Sequence, residues 1–163
     1  MSTSNQAQVI QQPNNLQKKL GGARFALDPD AIARAEAALK SLSGQFSQWL
    51  QDELNKLDAA RADVRARGMT AETSETLYMR AHDLKGLGAT YEFPLVTRLA
   101  GSLCKLIDNP ETRTRAPLLL VDAHIDAIKA AVRDEIRTDE HPVGKVLAEE
   151  LEAKTRAHLQ GQG

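Results

Sequence analysis

Apolar residues recur along this chain at steps of three and four, the period of an α-helix with one buried face. Ile32, Ala35, Leu39, Leu42, Phe46, Trp49/Leu50, Leu54, Leu57, Ala60 and Val64 predict one long helix ending near Gly68. Asp28-Pro29-Asp30 is a fitting start, with a cap, a proline suited to the first position and an acid at the positive end of the dipole. Gly44 lies inside this helix and weakens it slightly. Thr70 to Glu75 supply caps for a second helix, whose core face is Leu77, Ala81, Leu84, Gly88 and Tyr91. Pro94 starts a third, with Leu95, Leu99, Leu103 and Leu106 on one face, and Asn109-Pro110 stops it. After a linker from Glu111 to Ala116, Pro117 opens a fourth helix carrying Val121, Ile125, Ile128, Val132 and Ile136. His141-Pro142 breaks the chain. Val143, Leu147 and Leu151 then predict a shorter C-terminal helix that frays toward Gly161-Gln162-Gly163.

No alternating strand pattern and no repeat interrupts this reading, so the expected fold is all-α. The expected form is an antiparallel up-down-up-down four-helix bundle over residues 28–138, with an additional short C-terminal helix and tail over 139–163. Residues 1–27, rich in Gln, Asn and Ser, are expected to be a flexible N-terminal arm.

Composition agrees. Of 163 residues, 42% are hydrophobic and 26% charged, enough for one core, and only 4% are aromatic, which favours helices. A formal net charge of −1 without a basic block argues against nucleic acid as a partner. The one cysteine, Cys104, can form no internal disulfide and no Cys-based metal motif. The polar N-terminus lacks a signal-peptide pattern, and no apolar run has membrane-spanning length, so a cytoplasmic location is expected.

Among the four histidines, His124 lies at the edge of an apolar stripe and is expected to be a half-buried packing residue. His141 precedes a proline in a linker, and His158 lies in the tail. None pairs with another histidine at i+4 and no H-E-x-x-H occurs, so no metal or cofactor is expected. His82 differs. It points away from the core face of the second helix, with Tyr78 and Met79 one turn back, Lys85 at i+3, Gly86 at i+4 and Ala89 at i+7. Neutral imidazole is a nucleophile that can carry a covalent group on one ring nitrogen. A phosphoryl group there would lie within reach of the Lys85 ammonium. Gly86 leaves room beside the ring, and Tyr78, Met79, Leu87 and Ala89 could form an apolar rim for a partner. The plain alternative is a surface histidine with no role.

The run Ala81-His82-Asp83-Leu84-Lys85-Gly86 resembles the signature of histidine-containing phosphotransfer (HPt) domains. Gly88-Ala89-Thr90 and Phe93-Pro94-Leu95-Val96 resemble its continuation in bacterial members. The resemblance implies a phosphorelay carrier without enzymatic turnover. His82 would be the phosphoacceptor, Lys85 would stabilise the phosphoryl group and Gly86 would give access. The partners implied are response-regulator receiver domains, that of a hybrid histidine kinase among them, which would supply Mg²⁺. Two positions depart from the pattern: Leu87, where many members have a small residue, and Glu92, where many have glycine. Some members add a polar side chain from the third helix. Ser102 and Lys105 are the candidates for that role, and neither is assigned.

Two rivals remain. A histidine-kinase dimerisation fragment would need a nucleotide-binding domain that nothing after Ile136 supplies. It would also build its bundle from two chains, whereas this chain has enough helices to be a monomer. A structural helical adaptor would bind its partners equally well without His82.

Overall fold

The computed structural model describes residues 28–161, and over them the chain is helical, with no strand. The expected N-terminal arm lies outside the described residues. Five α-helices follow in order: α1, Pro29–Arg67; α2, Ala71–Gly88; α3, Pro94–Leu106; α4, Leu118–Arg133; and α5, Pro142–Gly161. A 3₁₀ turn at Arg113–Arg115 precedes α4. The chain forms two compact units, Met1–Gln45 and Phe46–Gly163.

In the first unit, described from Asp28, the chain turns helical where the Asp28 carboxylate accepts from the Asp30 N–H. Ile32 is buried there, but Leu39 and Leu42 are exposed. The apolar period therefore runs further along α1 than its buried part.

In the second unit, α1 contributes Leu50, Leu54, Leu57, Ala60 and Val64 to the core. It ends at Gly68, whose φ of +85° is the left-handed conformation that glycine adopts freely, with its N–H on the Val64 carbonyl. Thr70 caps α2: its hydroxyl accepts from Thr73 N–H while the Thr73 hydroxyl accepts from Thr70 N–H. Leu77, Ala81, Leu84 and Gly88 are buried as expected, and Tyr91 is half-buried.

α3 packs against α2, α4 and α5. Surrounded in this way, it buries eight of its thirteen residues rather than one stripe. Charged pairs tie its neighbours. The buried Arg61 of α1 donates to Asp58 on its own helix and, at 2.8 Å, to Asp126 of α4. Arg98 of α3 grips Glu152 of α5 through two 2.7 Å bonds.

Two expectations need correction. The C-terminal helix is not short: α5 spans 20 residues and buries Gly144, Ala148, Leu151 and Thr155, while the last two residues of the expected fraying end lie outside the described residues. The sequence pattern undercounted it because its contacts with α3 use small and polar side chains that no hydropathy period registers. A Cβ on Gly144 would lie 2.8 Å from the Thr138 carbonyl and 3.0 Å from Leu95, so glycine is what admits this close approach.

His124 is fully buried rather than half-buried. Its Nδ1–H donates to the Leu120 carbonyl at 2.8 Å, which leaves Nε2 to accept from the Ser102 hydroxyl, also at 2.8 Å. Thr155 of α5 completes the cluster, 3.2 Å from Ser102. A buried imidazole with all its partners satisfied is a core residue, and this one joins α3, α4 and α5.

The turn from α2 to α3 has a conformation that glycine normally supplies. Phe93 N–H reaches back to the Gly88 carbonyl and Glu92 N–H to the Ala89 carbonyl, which closes a Schellman motif around Glu92 at φ +71°. The same arrangement ends α4, with Glu135 at φ +55°.

Replacing Glu92 by glycine should relieve a left-handed strain of about 1–2 kcal/mol against a loss of about 0.5–1 kcal/mol in chain entropy. Thermal melts should show a small net gain in stability, and a clear loss would contradict the strain.

Burial lowers the His124 pKa, an effect only partly offset by the bond to Leu120. As pH falls below about 6.5, the unfolded chain takes up a proton that folded His124 refuses, so stability declines by up to about 1.4 kcal/mol per pH unit for one proton. Denaturation at pH 7.5 and 5.5 should show that loss shrinking in His124→Asn, and an equal loss in both proteins would place the acid sensitivity elsewhere.

Candidate functional site

The packing of α2 decides which way His82 faces. With Leu77, Ala81, Leu84 and Gly88 inside, the positions about half a turn away are driven outward, and His82 is exposed. A shallow depression of about 470 Å³ lies beside the imidazole. Its lining comes from two helices: Glu53 and Lys56 of α1, and His82, Asp83, Gly86 and Leu87 of α2.

Lys85, one turn beyond His82, is exposed and leans toward α3. Its Cδ lies 3.9 Å from where a Cβ on Gly101 would stand, an ordinary van der Waals separation, so the lysine stem runs close to the α3 backbone. Its charge is felt at Cys104, whose thiol burial pushes up to about 11 even though the Lys85 ammonium opposes the rise. Lys85 thus flanks the His82 face from the α3 side.

Tyr78 stacks obliquely on His82, with ring centroids 5.9 Å apart. It also holds a cation, because the Arg113 guanidinium lies over its ring, 4.9 Å from the centroid. Its phenol is raised in pKa, first by desolvation and then by the charge and hydrogen bond of Asp108. Arg113 is itself buried and donates to the Asp108 carbonyl, while its Nε has no hydrogen-bond partner among the described residues. Sequence reasoning passed over Arg113 as part of a polar linker.

The residues expected to form an apolar rim are spread around the site. Leu87 lines the depression and Tyr78 touches the imidazole. Met79, 55% exposed, and Ala89, exposed at the turn, do not line it. Ser102, a third-helix candidate, is buried against His124 and does not face His82, whereas Lys105 is exposed. Glu53 and Lys56 were missed because no local pattern on α1 points to a residue on α2.

The two glycines of α2 play opposite parts. A Cβ on Gly86 would meet nothing within 4 Å, so the fold does not require glycine there. A Cβ on Gly88 would lie 2.6 Å from the Thr97 hydroxyl and 2.7 Å from the Thr97 nitrogen. That hydroxyl accepts from Ala89 N–H at 2.8 Å and donates to the Lys85 carbonyl at 3.0 Å, binding α3 to the end of α2.

Among the described residues, no group of three or more His, Cys, Asp or Glu is placed to hold a metal ion, and no helix is long and apolar enough to cross a membrane. No protein-family model, curated protein or solved structure matches this chain.

Gly86→Ala should gain up to about 1 kcal/mol from helix propensity. Gly88→Ala should lose about 1–3 kcal/mol through overpacking against Thr97. Chemical denaturation of the two variants should give opposite signs, and a Gly88→Ala protein as stable as its parent would contradict the close approach of α2 and α3.

Proposed function

We propose that this chain is a histidine phosphocarrier of the two-component type, an HPt domain, that takes a phosphoryl group on His82 from the aspartyl phosphate of a receiver domain and returns it to another. The observation that carries the reading is the exposure of His82 beside unobstructed ground at Gly86, with Lys85 one turn away over Gly101. A nucleophile, a nearby cation and room for a second protein occur together on one face. The turn at Glu92 adds support, since it is left-handed at the position where many HPt members have glycine.

The transfer needs little from this chain. The lone pair of one ring nitrogen attacks phosphorus as the phosphorus–oxygen bond to the aspartate breaks, and the carboxylate leaves with that electron pair. The other ring nitrogen keeps its proton. The phosphoryl group brings negative charge to the ring, which the Lys85 ammonium offsets. Mg²⁺ belongs to the receiver, so the carrier itself needs no metal. In this reading α1 to α4 form an antiparallel up-down-up-down four-helix bundle, with α5 packed outside it, and the protein is a cytoplasmic monomer.

Incubation with a phosphorylated receiver should label the parent with acid-labile, alkali-stable phosphate. His82→Gln should abolish the label without changing helicity. Lys85→Ala should fold normally and transfer about tenfold more slowly, equivalent to about 1.4 kcal/mol at the transition state. Labelling that survives His82→Gln would refute the reading and favour a helical adaptor with an incidental histidine.

A further inference from the structure

His82 is approached by a second cation, from a different helix. Lys56 of α1 lines the same depression as His82 and Gly86. Its Nζ donates to Glu53 Oε2 at 3.0 Å. The Glu53 side chain is only 17% exposed, whereas that of Lys56 is 50% exposed. The carboxylate is thus an anchored base and the ammonium its accessible end. An ammonium has three N–H donors, and Glu53 occupies one, so others are left for an acceptor arriving above the imidazole.

The charges around His82 make this pairing matter. Two carboxylates line the depression, Glu53 and Asp83. Asp83 has Arg80 as its nearest cation, at 3.9 Å. A phosphoryl group entering here would be repelled by Glu53 if Lys56 were absent. With Lys56 present, the entering dianion meets an ammonium already held in place, and attraction grows with the charge on the acceptor.

We infer that Lys56 is a second phosphoryl-binding cation of the His82 site, bridging Glu53 and the phosphoryl oxygens once the group is on the imidazole; the inference rests on the phosphocarrier reading. Lys85 then holds the group from the α3 side and Lys56 from the α1 side, so the full rate depends on α1 and α2 keeping their relative placement. Glu53 is a positioning residue that restrains the lysine.

The test uses the full chain, a phosphorylated receiver and ³¹P NMR of the phosphorylated carrier. Lys56→Ala should slow transfer about three- to fivefold, the range of an exposed ion pair. Lys56→Arg should recover part of the rate, and Lys154→Ala, on α5, should leave it unchanged. In a Glu53→Gln background, where no carboxylate is left to mask, adding Lys56→Ala should still slow transfer about three- to fivefold. Lys56→Ala should also move the ³¹P titration of the phosphohistidine to higher pH, because a cation beside the group favours its dianion. If Lys56→Ala matches the parent in rate, Lys56 plays no part in transfer, and if the double variant is as fast as Glu53→Gln alone, Lys56 only masks Glu53; either result overturns the inference while the phosphocarrier reading stands. If the parent takes no label, or the label survives His82→Gln, both fail.

Discussion

The close approach of α2 to α3 at Gly88 and Thr97 is the constraint on which the rest of the structure depends. One hydroxyl bridges the Ala89 N–H and the Lys85 carbonyl at the end of α2, accepting from the first and donating to the second. It can do so only because Gly88 has no side chain to hold the helices apart. This contact, with Leu77, Ala81 and Leu84 beneath it, sets the rotation of α2 about its own axis. The outward direction of His82 follows from that rotation. The site is therefore a consequence of core packing on the opposite face of the same helix.

Polar contacts between helices serve the same end. Arg61 and Asp126 join α1 to α4, Arg98 and Glu152 join α3 to α5, and His124, Ser102 and Thr155 join three helices at once. Apolar packing alone is permissive about how helices slide along one another. Hydrogen-bonded groups with fixed donors and acceptors are less so, because a shift that breaks them leaves buried polar atoms unsatisfied. The Glu53–Lys56 pair gains meaning from this framework: an α1 residue can serve a nucleophile on α2 only if the two helices hold their register.

The helices were legible in the sequence because each records its burial at a 3.6-residue period. Pro29, Pro94 and Pro142 open three of them, and Thr70 caps a fourth. His82, Lys85 and Gly86 were legible for a related reason: residues three and four apart share a helical face whatever the rest of the chain does. α5 was read poorly, since Gly144, Ala148 and Thr155 bury little hydrophobic surface. Leu39 and Leu42 erred the other way, keeping the period while remaining exposed.

The sequence by itself determined the helical content, the core face of α2 and the grouping of His82 with Lys85 and Gly86. All of these are set by contacts between residues within a few positions of one another. Tertiary structure alone decided that His124 is interior, that Arg113 lies over Tyr78, that Gly88 is obligatory while Gly86 is open, and that Lys56 reaches the depression beside His82. Each of these joins residues far apart in the chain, and local periodicity holds no information about which faces of distant helices will meet.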